Sequence, residues 1–308
     1  MSLYDAIVIG GGPAGLTAAL YLVRSGCTVA LAEKLTAGGQ VLQTENIENY
    51  PGHPKGIKGW ELADLFAEHI QDLPIRRFAH AVAAIESCPQ GFRVKIDEQW
   101  LEARAVIVCA GASHRTMGLP NEAKLSGHGV SYCAICDGNF FRGQEVAVIG
   151  GGNTALEESL YLAKIVKKVH LIHRRDSFRG AKTYLDRLEA IPDKVEIIRS
   201  TTVAAIHGDS ALTGVTLRHV QSAEERFLPV EGLFVFVGIE PATDFLPQDV
   251  QRDPQGFIIT DTEMRTNVPG IFAAGDIRSK LCRQVSTAVG DGATAAQAAF
   301  VYLEQLHA

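Results

Sequence analysis

Two glycine-rich hexapeptides constrain this chain more than any other feature. Gly10-Gly11-Gly12-Pro13-Ala14-Gly15 matches G-x-G-x-x-G, and Gly150-Gly151-Gly152-Asn153-Thr154-Ala155 matches G-x-G-x-x-A. Each follows a short β-branched run, Ala6–Ile9 in the first case and Glu145–Ile149 in the second. Each opens a helical stretch, expected over Leu16–Ser25 and Ala155–Ala163, and each leads to a further strand, Thr28–Ala32 and Val169–Ile172. A glycine-rich turn that merely packs helix on strand is the plain alternative. Strand, glycines and helix in this order make a phosphate cradle instead: the glycines admit the backbone to a pyrophosphate, and the helix N-terminus supplies N–H groups and positive partial charge. The fold class expected is therefore α/β, with two Rossmann-like dinucleotide-binding domains.

The two units differ where a ribose would sit. The first ends its second strand on Glu33, an acceptor for ribose hydroxyls. The second ends on His173-Arg174-Arg175, with Arg179 four residues beyond Arg175. Guanidinium groups favour a 2′-phosphate through charge-assisted hydrogen bonds, so the second site is expected to take NADPH. The competing explanation is a solvated basic loop. His173 is expected to touch nucleotide and not to serve as a base.

Between the fingerprints lies Cys133-Ala134-Ile135-Cys136, followed by Asp137. A vicinal pair in that position suggests electrons passing between cofactors and a disulfide, and such pairs often carry one depressed thiol pKa. A structural disulfide or half of a zinc site are the alternatives. The remaining cysteines, Cys27, Cys88, Cys109 and Cys282, are isolated, and no His-x-x-x-His partner occurs, so no metal is expected. Asp137 is suited to general acid work on a departing thiolate, or simply to a turn with Gly138.

At 308 residues the chain fits two domains, and 46% hydrophobic with 21% charged residues is ordinary for a globular protein. A net charge of −6 gives no reason to expect nucleic acid as a partner. Met1-Ser2-Leu3-Tyr4-Asp5 runs into the first strand without a basic region, and no apolar run reaches the roughly 18 residues of a bilayer span. No membrane association and a cytoplasmic location are expected, in keeping with one cysteine pair and scattered singles.

A third element, Thr266 to Asp276, reads as a strand at Ile271–Ala274 ending on Gly275-Asp276, and resembles the second flavin motif of two-dinucleotide-binding flavoproteins. A helix is expected from Ser286 to Gln305. This motif belongs with the first fingerprint, so the first domain is discontinuous and the second is inserted into it. The expected division is 1–113 with 247–308, and 114–246.

Taken together these residues resemble the low-molecular-weight thioredoxin reductases over essentially the whole chain. The resemblance rests on Gly10–Gly15, Gly38-Gly39-Gln40, Glu48-Asn49-Tyr50-Pro51-Gly52, Gly129 to Gly138 with the cysteine pair, His173 to Asp176, and Gly275-Asp276 with Arg283-Gln284. It implies FAD held by Gly10, Gly12, Pro13, Ala14, Gly15, Glu33, Lys34, Gly39, Gln40, Asn49, Gly275, Asp276, Arg283, Gln284 and Val285. It implies NADPH held by Gly150, Gly152, Asn153, Thr154, His173, Arg174, Arg175 and Arg179. It further implies a homodimer, a domain rotation during turnover, and hydride transfer from NADPH to flavin and on to Cys133–Cys136, with Cys136 nearer the flavin and Cys133 attacking thioredoxin. One departure is His128, where many members of the family carry Arg before Gly-Val-Ser. A flavin-dependent dithiol oxidase, a reductase of another small disulfide protein, and a redox-sensing binding protein are the competing functions; the basic cluster argues against the first, the complete cysteine pair with Asp137 against the last.

Overall fold

The computed structural model describes residues 3–44 and 46–307. Met1 and Ser2, where the expectation of no leader begins, lie outside them. The chain divides into two compact units, Met1–Ser113 with Glu240–Ala308, and His114–Ile239.

The first unit opens with β1 (Leu3–Ile9), α1 (Pro13–Arg24) and β2 (Val29–Ala32). α1 starts at Pro13, ahead of the expected Leu16, because proline suits the first helical position, where its fixed φ fits and its missing N–H has no partner to lose. The helix closes at Ser25, and Gly26 takes a left-handed φ of 84° to turn the chain into β2. There follow α2 (Gly59–Gln71), β3 (Ile75–Phe78), β4 (Val82–Cys88), β5 (Gly91–Ile96) and β6 (Gln99–Val108). The chain leaves through β7 (Ala112–His114).

The second unit runs through β8 (Val130–Ser131), α3 (Ala134–Asp137), β9 (Glu145–Gly150), α4 (Asn153–Leu162), β10 (Lys168–Ile172), α5 (Lys182–Glu189) and β11 (Val195–Ile198). It continues through β12 (Thr201–Gly208), β13 (Leu212–His219), β14 (Glu225–Leu228) and β15 (Gly232–Phe236). β16 (Ile239–Pro241) pairs with β7 where the chain crosses, and the first unit is completed by β17 (Ile271–Ala273) and α6 (Val285–His307).

The main sheet of the first unit has the order β3-β2-β1-β6-β5-β4. β1, β2, β3 and β6 are parallel where they pair, while β4 and β5 return antiparallel. β5 covers the first half of β6, from Gln99 to Ala103, and β17 covers the second half in parallel register, Ile271 on Val106 and Ala273 on Val108. β1 is buried on both faces from Ala6 to Ile9, which the apolar run there requires. Ala6 and Val8 pack with Leu16, Ala18 and Leu22 of α1 and with Ala295, Ala299 and Leu303 of α6. Ile7 and Ile9 pack on the other side with Val94, Ile96, Val106 and Ile258. α6 lies so close to α1 that a Cβ on Gly292 would stand 2.2 Å from the Ala14 carbonyl oxygen.

In the second unit a parallel sheet, β11-β10-β9-β15-β8, carries α4 and α5 against one face through Leu156, Leu162, Leu171 and Leu188. A three-stranded antiparallel sheet, β12-β13-β14, contributes Ile206, Val215, Leu217 and Leu228 to a second core with Ala147, Ile172 and Leu233.

Candidate functional site

Parallel register brings the expected groups of the first unit to one edge. Ile9 pairs with both Ala32 and Val108, and Ala273 also pairs with Val108. The residues that follow these strand ends, Gly10–Gly15, Glu33 and Gly275-Asp276, therefore emerge together at the carboxyl edge, where ligands bind in open α/β sheets. Gly10 has φ 104°, and a Cβ there would lie 2.3 Å from the Cys109 carbonyl oxygen, so only glycine fits. Gly12 is different: a Cβ would meet no atom within 4 Å, which leaves an open approach to the N-terminus of α1 at Pro13 and Ala14.

Glu33 is fixed by the backbone. Its Oε2 accepts from Gly11 N at 2.6 Å and its Oε1 from Leu35 N at 3.0 Å. Gly38 N donates to the Gly11 carbonyl at 2.7 Å, which brings Gly39 against Gly12; Lys34, Gly39 and Gln40 are exposed beside it. Asn49 Nδ2 donates to Gln284 Oε1 at 3.0 Å across 235 positions of sequence, at the start of α6 next to Val285.

Asp276 carries the clearest sign of an absent partner. Its Oδ1 is buried and has no hydrogen-bond partner among the described residues; Lys280 Nζ stands 3.5 Å away. Burial pushes this carboxyl above its ordinary range, against the pull of Lys280 and Arg283. Lys280 is itself engaged by Asp291 of α6 at 3.0 Å, and Asp291 also takes Arg278 at 3.0 Å and the Gly275 amide at 3.1 Å. Arg283 lies over the Phe257 ring, 4.0 Å from its centroid, and burial lowers its pKa. A buried acceptor without a donor, an open glycine and a preset acid fit a nucleotide bearing hydroxyl groups. Sequence reasoning missed Asp291 and Lys280; an Asp inside an alanine-rich helix was the available signal.

The second unit repeats the pattern. Ile149 pairs with Ile172, and Phe236 with Gly150, so Gly150, Gly152 and the segment after Ile172 share one edge. Gly152 again leaves open space where a Cβ would stand, ahead of Asn153 and Thr154 in α4. Asn153 Oδ1 accepts from Ala181 N at 2.7 Å, and Gly151 O accepts from Arg179 N and Gly180 N at 2.8 and 3.0 Å. These bonds tie the arginine segment to the glycine loop. Arg174, Arg175 and Arg179 are exposed and make no ion pair among the described residues. His173 is buried, stacked on Phe178 at 4.7 Å, and so close to the loop that a Cβ on Gly151 would fall 2.1 Å from its Cε1. Burial, aided by the three arginines, holds its pKa below the ordinary imidazole value and so makes it a weaker base.

Cys133 and Cys136 form a disulfide, with Cα atoms 5.3 Å apart, while Cys27, Cys88, Cys109 and Cys282 are free. Cys133 caps α3, its Sγ accepting from Cys136 N at 3.2 Å. Ser131 holds the motif from below: its Oγ accepts from Cys133 N at 3.1 Å and donates to Asp137 Oδ2 at 2.6 Å. Glu158 of α4, which sequence reasoning passed over, accepts from Ala134 N at 3.1 Å. No group of metal ligands occurs among the described residues, and no helix there is long and apolar enough to cross a membrane.

Comparison with known proteins agrees with this chemistry. The family model for pyridine nucleotide-disulphide oxidoreductases matches residues 4–292. A thioredoxin reductase of Treponema pallidum is 41% identical over 98% of this chain and 98% of its own length. One from Listeria monocytogenes is 42% identical over 99% of this chain and 95% of its own length. The crystal structure of thioredoxin reductase from Streptococcus pyogenes, 43% identical, superposes with a TM-score of 0.93 over 98% of this chain and 99% of that one.

Proposed function

Because the chain belongs to the pyridine nucleotide-disulphide oxidoreductase family, and groups within it with the thioredoxin reductases, we propose that it reduces the disulfide of thioredoxin with electrons from NADPH. The observation that carries this is the Cys133–Cys136 disulfide, placed at the start of α3 and braced by Ser131 and Asp137. FAD is assigned to the unit Met1–Ser113 with Glu240–Ala308, which contains Gly10–Gly15, Glu33 and Asp276, and NADPH to His114–Ile239; the second crossing thus falls seven residues before the expected 246/247. FAD, when bound, relays two electrons from NADPH to the disulfide.

The chain's own residues do the rest. Gly12 and the N-terminus of α1 receive a pyrophosphate, Glu33 orients ribose hydroxyls, and Asp276 Oδ1 gains the donor it lacks. Arg174, Arg175 and Arg179 hold the 2′-phosphate that distinguishes NADPH. Two electrons break the Cys133–Cys136 bond; Cys133 then attacks the thioredoxin disulfide, and Cys136 closes on the mixed disulfide to release reduced thioredoxin. Asp137, next to Cys136 in the chain and hydrogen-bonded to Ser131, is the acid in this reading and protonates the leaving thiolate. Its position at the end of α3 also serves the turn into Gly138.

Two copies of the chain form the working enzyme in this proposal, and it acts in the cytoplasm. NADPH oxidation with a panel of purified disulfide proteins tests the substrate. Fast turnover with thioredoxin is expected; turnover only with another small disulfide protein would replace thioredoxin, and oxidation of NADPH by oxygen alone would favour a dithiol oxidase.

A further inference from the structure

The side chain that meets the redox motif from α4 is Glu158. Its Oε2 accepts from Ala134 N at 3.1 Å, and the neighbouring Ile135 amide also bears on it. These are the first two amides of α3, directly after Cys133. Amides at a helix start normally favour an adjacent thiolate. Here a carboxylate takes the first two, on the residues that directly follow Cys133 in the chain, and leaves only the Cys136 amide to the Cys133 sulfur, at 3.2 Å.

From this contact we infer that Glu158 is a positioning residue that makes the Cys133–Cys136 pair more reducing, by engaging the α3 amides and opposing thiolate charge. The inference rests on the redox role proposed above. Reduction breaks the disulfide with two electrons and takes up two protons if both thiols are neutral, one if a thiolate remains. A nearby negative charge penalises only the state with a thiolate, so it shifts the couple toward disulfide at high pH and hardly at all at low pH.

The surrounding charges leave this role to Glu158. Glu157 on the same helix adds negative charge and is bonded by Tyr184 of α5, while Asp137 of α3 is held by Ser131. On α5, Lys182 pairs with Asp186 and Glu189 with Arg199; on β9 and β10, Glu145 is shared by Lys167 and His170, and Glu196 of β11 takes Lys168 and His170. Burial raises the Glu158 pKa, and the two amides oppose that rise.

The test uses FAD-loaded enzyme equilibrated in buffers of reduced and oxidised dithiothreitol. The reagent's two thiols close to a cyclic disulfide as Cys133–Cys136 opens, and alkylation with mass analysis of the Cys133–Cys136 peptide reads the ratio. Measurements at about pH 6 and about pH 9 bracket the ordinary thiol value of about 8.5. Glu158→Gln keeps an oxygen acceptor and loses the charge. It is expected to shift the equilibrium toward dithiol by about threefold to tenfold at the higher pH, where tenfold corresponds to about 30 mV, and by less than about 1.5-fold at the lower. Glu158→Ala is expected to show the same pH-dependent shift plus a pH-independent change from the released amides. Equal shifts of Glu158→Gln at both pH values, or none, would overturn the inference. A wild-type pair that dithiothreitol reduces but NADPH does not would overturn the proposed function and leave the role of Glu158 standing.

Discussion

Asp276 allows a prediction in which two measurements move in opposite directions. Its Oδ1 is buried without a hydrogen bond, and burial raises the carboxyl pKa. An unsatisfied buried polar atom costs about 1–3 kcal/mol. Replacing Asp276 by Leu, which has the same branching with methyl groups in place of the two oxygens, removes that penalty, and Lys280 keeps its contact with Asp291 at 3.0 Å. The flavin-free protein should therefore be unchanged or more stable, by up to about 2 kcal/mol. FAD binding should weaken, because a hydrogen bond to a charged acceptor is worth about 1.5–3 kcal/mol, or about tenfold to 150-fold in Kd. The sign of the pH dependence follows. A carboxyl whose pKa is raised on folding contributes stability below its ordinary value and loses it as pH rises through the raised one. The flavin-free wild type should lose this contribution on going from acid toward neutrality, and Asp276→Leu should lack it. Thermal unfolding of flavin-free protein across pH and titration with FAD, followed by flavin fluorescence, provide the readouts. A variant destabilised by more than about 1 kcal/mol that binds FAD normally would refute the reasoning.

Three further outcomes are expected. Cys133→Ser and Cys136→Ser should each abolish thioredoxin reduction while NADPH still bleaches the flavin in stopped flow; loss of bleaching in a folded Cys133→Ser protein would reverse the proposed order. Neutral replacements at Arg174, Arg175 and Arg179 should raise KM for NADPH and leave that for NADH nearly unchanged. Each contact is worth about 1.5 kcal/mol, the low end for charged hydrogen bonds because these side chains are exposed, and steady-state kinetics should show the difference shrinking with salt. FAD and not FMN should be released by heat and identified by chromatography, since Glu33 and the Gly12 cradle serve an adenosine and a pyrophosphate that FMN lacks.

Where local sequence and tertiary position coincide, the site was legible in advance. The strand ends at Ile9, Ala32 and Ile149 could be read because glycines and charged residues interrupt apolar runs there, and parallel register then converts those ends into one edge. What could not be read depends on distant partners. Glu158 looks like any helical glutamate until α3 folds back on α4 and presents Ala134 N to it. Asp291 becomes an anchor only when α6 delivers it to Gly275 and Lys280. The β12-β13-β14 sheet has no motif; only its alternation of apolar residues against Ala147 and Leu233 explains it. His173 was legible as a residue near the nucleotide loop, but its burial against Gly151 and Phe178 was not.

The shared edge of β6 has a consequence for biosynthesis. β5 pairs with its first half, whereas the partner of its second half, β17, and the covering helix α6 are made only after the whole inserted unit. At about 5–20 residues per second, β17 follows β6 out of the ribosome by roughly ten to thirty seconds. During that interval the earlier-made segment holds half an open strand edge and an uncovered apolar face, while all of His114–Ile239, with everything its own core needs, emerges before β17 does. Folding order thus runs against sequence order: the insert matures first, and the nascent amino-terminal strands are the stretch that needs protection from aggregation.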